Sequence, residues 1–127
     1  MIEKIIEYYY KNYDVIDDEN VEKYIRKYFL IINTVLLNRL NEREYLEKCS
    51  EEEREKINFC ICEAANFYFL NKSKIDMLFK TYSLGDLNFT IELNTLNANV
   101  VRGIVLPNFV ISVLSSLRHY TRTLYWR

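Results

Sequence analysis

Two glycines and one proline in 127 residues are far fewer than an average chain carries. So few breakers exclude a loop-rich or collagen-like architecture and favour long regular elements. Cysteine is scarce as well. Cys49, Cys60 and Cys62 make an odd count with no secretory leader ahead of them, which argues against a disulfide framework and for a reducing compartment. Cys60 and Cys62 stand two apart on a predicted helix and so face away from each other, and the single histidine, His119, is far from both in sequence. No metal-ligand set emerges, and no cofactor is expected. No apolar run reaches the roughly 20 residues of a membrane span, because the longest, Tyr28 to Leu37, is interrupted by Asn33. A soluble protein without a membrane partner is expected. Gly85 and Gly103 stand alone with no phosphate-cradling loop around either.

Carboxylates are missing from one end. All 18 acidic side chains lie at or before Glu92, together with 13 of the 17 basic ones, a net −5; after it come only Arg102, Arg118, Arg122 and Arg127, a net +4. The C-terminal part therefore suits an acidic partner, protein or nucleic acid, although four arginines also describe an ordinary surface.

What is present is apolar and aromatic. Half the residues are hydrophobic, with 11 tyrosines and 7 phenylalanines, which excludes disorder and fits one domain spanning 1–127. Ile2, Ile5, Ile6 and Tyr9 at helical spacing predict a first helix to about Asn12. Asp17 or Asp18 caps a second, whose stripe of Val21, Tyr24, Ile25, Tyr28, Ile32, Val35 and Leu36 carries it to about Leu40. Leu30 and Leu37 interrupt its polar face, so its far half requires cover from other helices of the chain or from a neighbouring subunit. Ser50 followed by Glu53 marks the start of a third helix, with Ile57, Ile61, Ala64 and Tyr68 inward, Lys56, Glu63 and Asn66 outward, and a stop at Asn71-Lys72-Ser73. Ala64 and Ala65 allow close approach of another helix. A further helical turn is expected over Ile75 to Phe79.

From Leu87 the pattern changes. Leu87, Phe89, Ile91 and Leu93 alternate with Asn88, Thr90, Glu92 and Asn94, the period of a half-buried strand. A second apolar run, Val100 to Leu106, completes a hairpin, and Pro107 opens a last amphipathic helix ending in Tyr125-Trp126-Arg127. The expectation is a mainly α protein, three to four helices plus a C-terminal helix, with a short β-hairpin inserted near residues 82–106.

No catalytic set accompanies these elements. His119 has no carboxylate near it in sequence, and the acidic clusters are explained by helix starts. The sequons at Asn71 and Asn88 read as chance matches. Aromatic and arginine side chains gathered at a terminus are the types that dominate protein interfaces, which makes residues 120–127 a candidate docking tail.

The run Tyr82-Ser83-Leu84-Gly85-Asp86, the sequence Gly103-Ile104-Val105-Leu106-Pro107 opening a helix, and the ending Leu124-Tyr125-Trp126-Arg127, set after an all-helical first half, resemble the head-tail connector (adaptor) proteins of tailed bacteriophages and prophages. That resemblance implies a non-enzymatic structural protein of the virion neck, assembled in the host cytoplasm. It would form a homo-oligomeric ring of about twelve subunits by closed cyclic symmetry. Such a ring sits beneath the portal protein, extends the channel for DNA passing without sequence readout, and receives the next neck or tail protein. Portal docking would fall to Arg118, Tyr120, Arg122, Tyr125, Trp126 and Arg127, and subunit contact to Leu30, Leu37, Ala64, Phe89 and Ile91. Another neck or tail-completion protein, or a small intracellular DNA-binding regulator, are the alternatives.

Overall fold

A computed structural model of the chain describes residues 2–14, 18–36, 50–81 and 87–117. The mainly helical architecture with one small hairpin is the one the sequence predicts. Helix α1, Ile2–Asn12, buries Ile5, Ile6 and Tyr9 along the predicted stripe. Helix α2, Asp18–Leu30, buries Val21, Tyr24, Ile25 and Tyr28. Asp17, the other candidate cap, lies outside the described residues. Instead of continuing as α-helix, the chain widens into a π-helical segment, Ile31–Leu36. The Asn33 side-chain amide donates to the Phe29 carbonyl at 2.9 Å and competes for the acceptor that an α-helical turn would use.

Helix α3, Glu51–Thr81, is 31 residues long. It opens as the capping signature requires, with the Glu53 N–H donating to Ser50 Oγ at 3.2 Å and three glutamates in the first turn. The expected stop at Asn71-Lys72-Ser73 is overturned. The Asn71 amide donates to the Phe67 carbonyl, which satisfies it inside the helix, and burial of Ile75 and Leu78 rewards continuation. Glu63 and Asn66, expected outward, are half-buried. Asn66 accepts from Tyr9 Oη at 2.9 Å and Glu63 from Tyr13 Oη at 2.5 Å, while the Tyr9 and Tyr13 rings stack 4.6 Å apart.

The largest correction concerns Leu87–Thr95, which is helix α4 and not a strand. An alternating sequence also contains apolar pairs four apart. Phe89 and Leu93, one turn apart, are buried, whereas Leu87 and Ile91 are 73% and 48% exposed. Asn97, at φ 51, ends the helix in the left-handed conformation that asparagine tolerates.

The hairpin does not pair Leu87–Leu93 with the second apolar run; it folds that run, extended to Ala98 and Pro107, back on itself. Strand β1, Ala98–Val101, pairs antiparallel with β2, Ile104–Pro107, in the register Val101↔Ile104. Arg102 and Gly103 between them both take positive φ, 54 and 78, as a two-residue type I′ turn demands. Pro107 then caps helix α5, Asn108–Ser115, which buries Val110, Ile111 and Leu114.

These elements enclose two clusters. The main core joins α1, α2, the first half of α3, α5 and the hairpin residues Val101 and Leu106. A satellite cluster of Ile75, Leu78, Phe89, Leu93, Ala98 and Val105 sits beneath α4. Neighbours Val105 and Leu106 thus face different cores, so β2 is buried on both sides, which accounts for its run of apolar residues.

Two consequences are measurable. Phe89→Ala should lower the unfolding free energy in urea by about 3 kcal/mol or more, and Leu87→Ala by less than about 0.5 kcal/mol. A strand with both side chains on one face would lose comparable amounts at the two positions. Burial, reinforced by the Glu63 charge, pushes the fully enclosed Cys60 and Cys62 thiols from 9.0 to about 12. The fold shelters the neutral thiol, so this stabilisation is complete below pH 9.0, the unfolded value, and is lost as pH rises through about 12. The urea midpoint should accordingly hold from neutral pH to about pH 9 and fall above it.

Candidate interaction surface

The residues expected to meet a partner fall only in part among the described residues. Leu37, Arg118, Tyr120, Arg122, Tyr125, Trp126 and Arg127 lie outside the described residues, as do Tyr82–Asp86 and His119. Leu30, at the end of α2, is 61% exposed and Ile91 is 48% exposed, so both remain open to contact. Ala64 and Phe89 are each 1% exposed and are corrected: Ala64 belongs to the main core and Phe89 to the satellite cluster. The close approach that Ala64 and Ala65 permit is used within the chain.

Other exposed apolar side chains were hidden from sequence reading. On the C-terminal half of α3, Leu70 is 67% exposed and Met77 is 62% exposed. Their spacing of seven, two helical turns, is the signal that places them together on one side of α3. Leu87 and Ile91 form the corresponding outer pair on α4, one turn apart. Between α3 and α4 runs a groove of about 660 Å³ lined by Met77, Leu78 and Leu96, with Lys74 on one wall and Glu92 on the other. Thr95 Oγ1, also in the groove, donates to the Glu92 main-chain carbonyl at 2.6 Å.

A smaller cavity of about 220 Å³ lies where α2, α3 and the hairpin turn meet, lined by Lys27, Tyr28, Tyr68, Asp76 and Gly103 among others. Here the charges are satisfied internally. Lys27 Nζ lies 4.6 Å from the centre of the Tyr68 ring, Tyr68 Oη is 3.5 Å from Asp76 Oδ1, and Lys72 Nζ sits 6.0 Å from the centre of the Tyr24 ring. Burial first, then the Asp76 charge, raises the Tyr68 phenol above its ordinary value. A hydrogen bond to Tyr24 raises Lys72. The one cation lining the cavity among the described residues, Lys27, is thus already placed over an aromatic ring.

Among the described residues no group of three His, Cys, Asp or Glu side chains is placed to hold a metal ion, and no helix is long and apolar enough to cross a membrane. The chemistry on offer is apolar contact and charge pairing, concentrated on the outer side of α3 and α4. No protein-family model, curated protein or solved structure matches the chain.

The Lys27 contact is open to a double-mutant cycle. Lys27→Ala combined with Tyr68→Leu should report a coupling of about 0.5–1 kcal/mol in thermal or urea unfolding.

Proposed function

We propose that this chain is a structural, non-enzymatic protein of a phage or prophage neck, a head-tail connector whose copies form a ring on the portal and extend the DNA channel. The observation that carries the proposal is the order of its parts. A helical first half is followed by Tyr82-Ser83-Leu84-Gly85-Asp86, by helix α4 where the resemblance leads one to expect a strand, then by a two-stranded hairpin and a Pro107-opened helix, with Leu124-Tyr125-Trp126-Arg127 at the end. Two features of the surface support it. Large apolar side chains remain exposed at Leu30, Leu70, Met77, Leu87 and Ile91, the residue types a multi-subunit assembly covers. The basic, aromatic C-terminal residues, without a single carboxylate side chain after Glu92, supply anchors for an acidic partner surface.

In this role the helices provide the ring body and residues 120–127 the portal contact. Arg118 and Arg122 add charge beside the aromatic anchors Tyr120, Tyr125 and Trp126. DNA moving through the ring is met by weak contacts without base readout.

Particle images of the purified chain mixed with portal protein test the proposal directly: rings seated on the portal are expected, and free, unassociated particles would overturn it. Deleting residues 120–127 should abolish co-assembly while leaving the far-ultraviolet circular dichroism of the helices unchanged. Leu30→Asp should prevent ring closure without lowering the melting temperature, because this side chain is largely solvent-exposed in the isolated chain.

A further inference from the structure

The outer face of α3 and α4 carries a self-complementary pattern. Leu70 and Met77 crown the C-terminal half of α3, and Leu87 and Ile91 crown α4; their exposures run from 48% to 73%. A monomer leaves these four side chains in water although Phe89 and Leu93, on the other side of the same short α4, are enclosed. The groove between the helices has an apolar floor of Leu78 and Leu96, with the exposed Met77 also lining it. Its two walls bear opposite charges, Lys74 on α3 and Glu92 on α4, and neither makes an ion pair among the described residues.

From this we infer that a second copy of the chain occupies the groove, in a twofold contact that sets α3 of each copy against α4 of the other. Charge complementarity selects that occupant. A partner segment of one sign would gain at one wall and be repelled at the other. A twofold axis running along the groove brings Lys74 opposite the partner's Glu92 and repeats the pair on the other side of the axis. The same rotation brings Leu70 and Met77 toward the partner's Leu87 and Ile91, giving a four-helix layer with two charge pairs beside the axis and apolar contacts flanking them.

The contact surface is limited by α4, which at nine residues is about 13 Å long. Such a patch falls short of the roughly 800 Å² per partner typical of stable complexes, so the pair forms weakly and its population depends on concentration. A twofold contact closes on itself and generates no ring. It is therefore an association of the free chain, one that ring assembly through Leu70, Met77, Leu87 or Ile91 would have to displace, and it is tested on the free chain without portal protein.

Sedimentation velocity of the full-length chain over a concentration series provides the test. A monomer–dimer equilibrium is expected. Lys74→Glu places two like-charged pairs across the axis, as does Glu92→Lys, and each should weaken dimerisation by about tenfold or more. Mixing the two variants should restore it, because in the mixed dimer both pairs are again of opposite sign. Ile91→Ser, at an exposed position, should weaken the dimer while leaving the circular dichroism unchanged. A monomer at every concentration, an assembly larger than a dimer, indifference to both charge reversals, or no restoration on mixing would each overturn the inference.

Discussion

The structure is organised by the need to cover α3. Over its first half this helix is apolar on more than one side, with Ile57, Cys60, Ile61, Cys62, Ala64 and Ala65 all enclosed. One neighbour cannot shelter so wide a surface. Helices α1 and α2 pack on part of it and α5 on another, with Cys62 Sγ directed to the Ile5 carbonyl at 3.7 Å as one sign of how closely α1 approaches. The second half of α3 presents only Ile75 and Leu78 to the interior, and α4 with one face of the hairpin suffices there.

The hairpin links these two requirements. Two strands alone are marginal in water, and here β1 and β2 are stabilised by burial on both faces, Leu106 toward the main core and Val105 toward the satellite. The type I′ turn at Arg102-Gly103 keeps the hairpin short enough for Pro107 to start α5 directly at its end. The Asn108 N–H, donating to the Asn97 carbonyl at 2.8 Å, closes the base of the unit, so α4, the hairpin and α5 form a continuous cover.

Polar cross-links fix the register of the helices without opening the core. Tyr9 reaches Asn66 and Tyr13 reaches Glu63, tying α1 and the turn after it to the middle of α3. Tyr24 meets Tyr68 edge-on at 5.0 Å, and Lys27 lies over the same ring, tying α2 to the next stretch. Past Tyr68, no further helix among the described residues covers the outer side of α3. Leu70 and Met77 remain exposed there beside the outer pair on α4, and this is the face proposed for a second copy.

Local chemistry was legible in the residues. The apolar stripe of α1, the Ser50 cap of α3, the helix after Pro107 and the strand that leads into it all follow from patterns within a few residues, because caps, stripes and prolines act at that range. The stretch Leu87 to Asn94 was ambiguous, since its alternation and its i, i+4 pair Phe89–Leu93 satisfy strand and helix alike. Tertiary packing decided it: the satellite cluster over Ile75 and Leu78 is closed by one turn-spaced pair, and a strand there would need a partner, whereas among the described residues β1 pairs with β2 alone. The same kind of decision carried α3 through Asn71-Lys72-Ser73 and turned Glu63 and Asn66 from outward residues into anchors. Sequence by itself determined which segments were regular and which residues were candidates for burial. Only the folded chain decided which apolar side chains were used internally, as Ala64 and Phe89 are, and which were left outside, as Leu70, Met77, Leu87 and Ile91 are, because that depends on how many elements compete to cover one long helix.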